Sequence, residues 1–190
     1  MPVLEVTQLR LKGLTADDPT LLQSLSAVRA KLHTGSQFYN CIDDPALIYI
    51  LGIWPSLEAH VDFLASPSRD DILGPQEDLL QFGWTVHVDM GGMSSLPLDA
   101  PILAIERIRV SEECTQAFDQ AAERHAQELR GSHPFKVAYG WRCDAGPKNQ
   151  EALIFSGWQI AQAHVNFPVQ GSEKGRYEVV QTTYARNLEH

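Results

Sequence analysis

The chain has 190 residues, 44% hydrophobic and 21% charged, with a net charge of −9. This is the composition of a soluble globular protein of one domain or two small ones, and it lacks the basic footprint that a nucleic acid or an anionic membrane surface requires. Cys41, Cys114 and Cys143 are odd in number and scattered, which argues against a disulfide framework or paired metal knuckles, and no apolar run approaches the roughly 18–20 residues of a membrane span.

In chain order, residues 3–12 (VLEVTQLRLK) alternate like a strand and lack the charged-then-apolar layout of a signal peptide, so the cytoplasm is the expected compartment. Asp17-Asp18-Pro19 opens a helix with an apolar stripe at Leu21, Leu22, Leu25, Val28 and Leu32, and Gly35-Ser36 ends it. A strand over 37–42, a turn at Asp43-Asp44-Pro45 and a strand over 46–54 follow, the last apolar on both faces. Pro55-Ser56 starts a helix to about residue 65, a further helical piece is expected over 70–82, and residues 84–90 read as a fourth strand.

The same order then returns. Residues 102–110 superpose on the first strand, a helix is expected over 112–130, strands over 135–143 and 151–158 flank a turn at 144–149, and a helix over 159–167 precedes a last strand over 176–185. Residues 54–63 (WPSLEAHVDF) recur as 158–167 (WQIAQAHVNF), with Trp, Ala, His, Val and Phe at identical offsets. Chance rarely produces that, so the chain reads as one module written twice. The expected division is 1–92, a linker over 93–101, 102–187, and a tail over 188–190 that resembles the start of an expression tag. The fold class is α+β: two tandem ferredoxin-like β-α-β-β-α-β repeats, each leaving one sheet face bare, packed sheet to sheet as an intramolecular barrel.

Several residues could carry chemistry. His125 falls on the apolar stripe of its helix, opposite Val28 of the first copy, where a ring needs a polar partner or a pocket. His87 and Asp89 share a strand face by the period-two rule, and a carboxylate beside an imidazole raises its basicity; the alternative is a solvated edge. Glu106 replaces Thr7 on a partly apolar face and serves either as acid or base or as the partner of an arginine such as Arg107 or Arg109. His60 and His164 recur in both halves. That favours a scaffold role, because a catalytic group is needed once. Tyr39, Tyr49, Trp84, Tyr139, Trp141 and Trp158 could line a flat aromatic pocket or fill the core. No phosphate loop, HExxH, Cys-His zinc set or nucleophile elbow is present, so neither a metal nor a nucleotide is expected.

The element order, with Trp54/Ala59 and Trp158/Ala163 at the junction of third strand and second helix, resembles the dimeric α/β-barrel superfamily, in particular its antibiotic-biosynthesis-monooxygenase (ABM) type. Where such segments carry a histidine further along the helix, this chain has Phe63 and Phe167. The resemblance implies cofactor-free chemistry of secondary metabolism on an apolar aromatic or polyketide-like substrate: a monooxygenase, or an isomerase, cyclase or lyase using histidine acid–base chemistry. It leaves room for a homodimer. Two alternatives stand beside it. One is a non-catalytic ligand-binding or stress-response barrel with a filled interior; the other is a heme-binding or heme-degrading member, which needs an exposed histidine on the pocket wall.

Overall fold

The computed structural model describes residues 1–132, 134–146, 150–167 and 176–190. They form two compact units, Met1–His87 with Ala185–His190, and Val88–Tyr184.

The first unit contains β1 (Val3–Leu11), α1 (Pro19–Leu32), β2 (Gln37–Cys41), β3 (Leu47–Trp54), α2 (Leu57–Ala65), α3 (Ser68–Leu73) and most of β4 (Leu80–Asp89). Its strands run in the order β4–β1–β3–β2, that of a ferredoxin-like repeat. The antiparallel register sets Val3 opposite Trp54, Glu5 opposite Gly52 and Thr7 opposite Ile50. Side chains alternate along a strand, so Val3, Glu5, Thr7 and Leu9 share the face of Ile50 and Trp54. Residues 185–187 of the last strand pair with β2.

Local chemistry explains these elements. Asp18 caps α1 by accepting from Thr20 N at 2.8 Å, with Pro19 at the first helical position. The helix stops where His33 turns left-handed, at φ 55°. Its buried Leu21 and Leu25 meet Leu11, Phe38, Ile48 and Leu80 in one apolar cluster. Truncating such a residue, Leu25→Ala for example, costs about 2–5 kcal/mol. Ser56 caps α2 by accepting from Ala59 N at 3.2 Å.

The stretch expected as helix over 70–82 divides. Gly74-Pro75 ends α3 and only a short 3₁₀ turn, Gly74–Gln76, follows; the chain is already extended from Leu80. Gly83 permits this early pairing, because a Cβ there would lie 2.9 Å from Gln8 Oε1 and 3.0 Å from its carbonyl oxygen on β1. The tail expected to play no part in the fold is docked: Leu188 N donates to Phe38 O at 2.8 Å, and Glu189 takes a two-pronged hydrogen bond from Arg29 at 2.7 and 2.8 Å.

The second unit contains β5 (Ile102–Val110), α4 (Thr115–Ser132), β6 (Val137–Trp141), β7 (Glu151–Trp158) and β8 (Tyr177–Asn187) up to Tyr184. Its order is β8–β5–β7–β6, the same as in the first unit. Ile102 lies opposite Trp158 as Val3 lies opposite Trp54. The strand pairings also set Tyr139 of β6 opposite Ile154, making it the structural counterpart of Phe38 opposite Ile50. Part of the turn expected at 144–149 lies outside the described residues.

The helix expected over 159–167 is replaced by a 3₁₀ turn, Ala161–Ala163. The first copy has Ser56 to cap its helix, whereas Gln159-Ile160 supplies no capping side chain, and Pro168 follows at once in the sequence. Among the described residues, no helix is long and apolar enough to cross a membrane.

Candidate active site in the first unit

Between α1, α2, α3 and the sheet face bearing Glu5 and Thr7, the first unit holds a cavity of about 510 Å³. Its walls are mostly apolar: Leu9, Val28, Phe38, Ile50, Phe63 and Leu73 among them. Glu5, Thr7 and Thr85 place polar groups on the strand face with Thr34 and Ser36 beside them, and Arg29, His60, Arg69 and Gln76 add others from the helices and the turn that follows them. Gly52 lets Ser36 in close, since a Cβ there would sit 2.6 Å from Ser36 Oγ.

His60 is the one buried residue of α2. The ring stacks on Trp54, with centroids 4.4 Å apart and planes inclined by 18°, and Phe63 continues the stack at 5.5 Å from Trp54. His60 Nδ1 lies 2.6 Å from His87 Nε2, so one nitrogen donates and the other accepts. His60 Nε2 lies 4.0 Å from Glu5 Oε2, and both residues line the cavity. Glu5 is itself held: Trp54 Nε1 donates to Oε2, and Thr7 Oγ1 donates to Oε1 at 2.5 Å. Having given its proton to Glu5, Thr7 accepts from Thr85 Oγ1 at 2.6 Å, so a directed chain Thr85→Thr7→Glu5 fixes the carboxylate.

Burial pushes the His60 pKa below that of a free histidine; the Glu5 carboxylate pulls it up and His87 pushes it down. At neutral pH the ring is therefore an uncharged base. In the tautomer whose Nδ1–H points to His87, the Nε2 lone pair is free to take a proton, Glu5 stands by to stabilise the imidazolium, and His87 offers an exit for the proton at Nδ1.

The second unit repeats the set with a closed outcome. The His164 ring meets Trp158 edge-on at 5.2 Å, and its Nδ1 contacts Tyr184 Oη at 3.1 Å. Its Nε2 lies 3.5 Å from Glu106 Oε2, with both side chains 1% exposed. Glu106 Oε1 accepts from Phe167 N at 3.0 Å. Phe167 packs on Phe118 at 5.2 Å, on His125 at 5.6 Å and on Tyr177 at 6.1 Å.

The residues expected from sequence to carry chemistry are thus dispersed. His87 is buried and joins His60, whereas Asp89 belongs to the second unit and is exposed. His125 is buried, as its helical position implied, but against Phe167 rather than on the cavity. Glu106 does not serve an arginine: Arg107 pairs with Glu151 at 2.5 Å and Arg109 with Glu178 at 2.6 Å, leaving Glu106 to His164 and Phe167 N. Of the aromatics, Tyr49 lies on the opposite sheet face, its hydroxyl accepting from Gln8 Nε2 at 2.8 Å, with Trp84 edge-on at 6.0 Å. Trp141 Nε1 donates to Asp119 and Trp158 Nε1 to Ser156 Oγ. Tyr139 and Asp89 meet in an open hollow of about 530 Å³ beside Arg130 and Lys136. None of these five aromatics lines the first unit's cavity.

His60, Trp54 and Glu5, which the structure groups on the cavity wall, were not among the site residues expected from the sequence. A usable signal was present: a Trp–His pair at identical spacing in both copies, with Glu5 and Glu106 on the same face of the two first strands by period two.

No family model matches the chain, and no curated protein matches it either. Solved structures do. The chain is similar to chlorite dismutase from Candidatus Nitrospira defluvii in complex with imidazole, at TM-score 0.66 and 12% identity over 99% of this chain and 92% of that one. It is similar to a candidate monooxygenase from Fusobacterium nucleatum, at TM-score 0.62 and 11% identity over 98% and 92% of the two chains. It is also similar to an anthrone oxidase-like protein, at TM-score 0.61 and 12% identity over 97% and 91%. The chain shares the fold of these structures, with two ferredoxin-like repeats in one chain. Identity this low carries the fold alone.

A heme would need an axial histidine whose ring nitrogen faces open space. Among the described residues His60 is the cavity's only wall histidine, with Nδ1 closed by His87 and Nε2 turned to Glu5. These residues do not fit that group.

Proposed function

We propose that the chain is a cofactor-independent cytoplasmic enzyme of secondary metabolism that deprotonates an apolar aromatic carbon acid in the first unit's cavity. His60 is the base, His87 receives or returns the proton, and Glu5 stabilises the imidazolium. The carrying observation is the His60 ring, stacked on Trp54 and 2.6 Å from His87, on the wall of a cavity of about 510 Å³ that also holds Glu5. A cavity of that size suits a substrate of three fused rings.

The fold likeness to an anthrone oxidase-like protein supports a substrate of that type, a methylene made acidic by an aryl ketone. Loss of the C–H proton to His60 Nε2 leaves a delocalised carbanion. Reaction with O₂ converts the methylene to a carbonyl and releases water; reprotonation elsewhere gives isomerisation. A non-catalytic barrel would have a filled interior, and a cavity with histidine and carboxylate 4.0 Å apart weighs against that reading.

The test is turnover of anthrone followed by oxygen uptake and by product chromatography. Wild-type protein should convert it, and His60→Gln should lower kcat by ~10²-fold or more, the scale of general acid–base catalysis, with an unchanged circular dichroism spectrum. A folded His60→Gln protein with wild-type turnover would overturn the assignment.

A further inference from the structure

The exposed wall residues mark where the first unit's cavity opens. Leu64 is 44% exposed and Phe82 64%, and Lys12, Glu77 and Gln81 are exposed as well, whereas Leu25, Phe38 and Trp54 are buried. The mouth therefore carries both apolar and charged side chains.

Each charged wall side chain but one is engaged by another side chain. Arg29 is held by Glu189 at 2.7 and 2.8 Å, and Arg69 by Asp70 at 2.6 Å and Glu77 at 2.8 Å, so the Glu77 carboxylate is taken. Glu5 accepts from Trp54 and Thr7. Lys12 is different. Its Nζ donates to the backbone carbonyl of Glu77 at 2.6 Å, and no carboxylate pairs with it among the described residues. A carbonyl takes one of the ammonium's three protons and leaves its charge uncompensated. The lysine is nonetheless held in place. Lys12 N donates to Leu79 O at 2.8 Å, so main chain and side chain both bind the segment that follows the 3₁₀ turn Gly74–Gln76.

We propose that Lys12 Nζ receives a carboxylate on the cavity's ligand, so that the ring system lies inside and its acidic substituent stays at the mouth. The Glu5 carboxylate does not oppose this charge. Glu5 and Lys12 stand near opposite ends of β1, about 20 Å apart at ~3.3 Å of strand per residue, which exceeds the screening length at physiological salt. The inference rests on the cavity being the substrate site. It names the ligand as an aromatic acid and concerns recognition, not proton transfer.

Binding is therefore measured apart from turnover, by equilibrium dialysis without oxygen at neutral pH. The probes are anthracene carboxylate and anthracene carboxamide, substituted at the same ring position and differing in charge. Wild-type protein should hold the carboxylate about fivefold more tightly than the amide, the upper end for a solvent-facing ion pair, and about 1 M salt should erase most of that advantage. Lys12→Met should bind the two probes equally to within about 1.5-fold, and Lys12→Arg should keep the preference. Wild-type protein that holds both probes equally, or neither, overturns the proposal without recourse to any variant. So does a Lys12→Met protein that keeps the fivefold ratio. Loss of turnover in His60→Gln with the binding ratio intact separates the two claims. If His60→Gln instead retains turnover while the ratio collapses in Lys12→Met, the catalytic reading fails and the recognition site stands; if His60→Gln loses turnover and the wild type shows no preference, the reverse holds.

Discussion

The two repeats place a tryptophan, a histidine and a glutamate together, and they end differently. In the first, His60 lies flat on Trp54 at 4.4 Å beside a cavity of about 510 Å³. In the second, His164 meets Trp158 edge-on, and Phe167 stacks among Phe118, His125 and Tyr177. Two small sequence differences accompany the divergence. The carboxylate moves one pleat along its strand, with Ala104 at the place of Glu5 and Glu106 at that of Thr7. The capped helix that carries His60 becomes a 3₁₀ turn before His164. Duplication supplied two copies of a constellation, and loss of one helix cap accompanies the collapse of one of them.

The sharpest way to break this comparison is to remove each histidine in turn. His60→Ala should lower kcat by ~10²–10⁴-fold on an anthrone substrate while leaving the protein folded. His164→Ala should leave kcat within about threefold and register in the melting temperature instead, because it deprives a buried carboxylate of its partner. Equal catalytic losses in the two variants would mean that the second unit's set is also in use.

The glutamates should show the reverse order in stability. Glu106 is 1% exposed and accepts from Phe167 N, so Glu106→Ala leaves a buried N–H and a buried imidazole unmatched, at ~3 kcal/mol by urea denaturation. Glu5 has a side chain 16% exposed, and Glu5→Ala should cost about 1 kcal/mol while lowering kcat. If Glu5→Ala were the more destabilising change, the first unit's carboxylate would be structural.

How much of this was legible beforehand follows from which rules act locally. The repeat, the strand order and Asp18 as a helix cap are written in spacing and residue type, and they are present. His125 was read as inward-facing from helical periodicity alone, and it is buried. What periodicity does not give is the neighbour across the fold. That Phe167 fills the space before His125 depends on a helix that fails to form, and the failure comes from a missing capping side chain, a weak local signal. His60 was set aside because it repeats. Repetition marks the scaffold position, yet the cavity beside one copy is a tertiary property. The aromatics misled for a related reason: Tyr49 and Trp158 are large and apolar, but the face each occupies decides whether it meets a ligand or the core.

Val28 and His125 offer a finer test. Val28 lines the first cavity, whereas His125 packs on Phe167 in the second unit. Val28→Phe should raise KM by about tenfold or more by occupying ligand space, with little change in stability because it fills a void. His125→Val should alter neither KM nor kcat by more than about twofold. A Val28→Phe protein that binds anthrone normally would place the ligand elsewhere.

The smallest expected effect is on pH dependence, and its sign is fixed by burial. His60 binds its proton less tightly in the folded chain than in the unfolded one, where its pKa is about 6.5. Below that pH the unfolded chain takes up a proton that the folded chain refuses. Stability from this residue is therefore complete above about 6.5 and declines as pH falls toward the folded-state value. The acid limb of kcat/KM follows the same group: the neutral base survives to a pH below 6.5, and activity falls only where Nε2 becomes protonated. Glu5 pulls that pKa up, so Glu5→Gln should shift the acid limb to still lower pH even as kcat drops. In His164→Gln the limb should stay where it is in the wild type. A limb that moved with His164 and ignored Glu5 would transfer the proton chemistry to the other repeat, and with it the assignment of which copy kept its cavity for use.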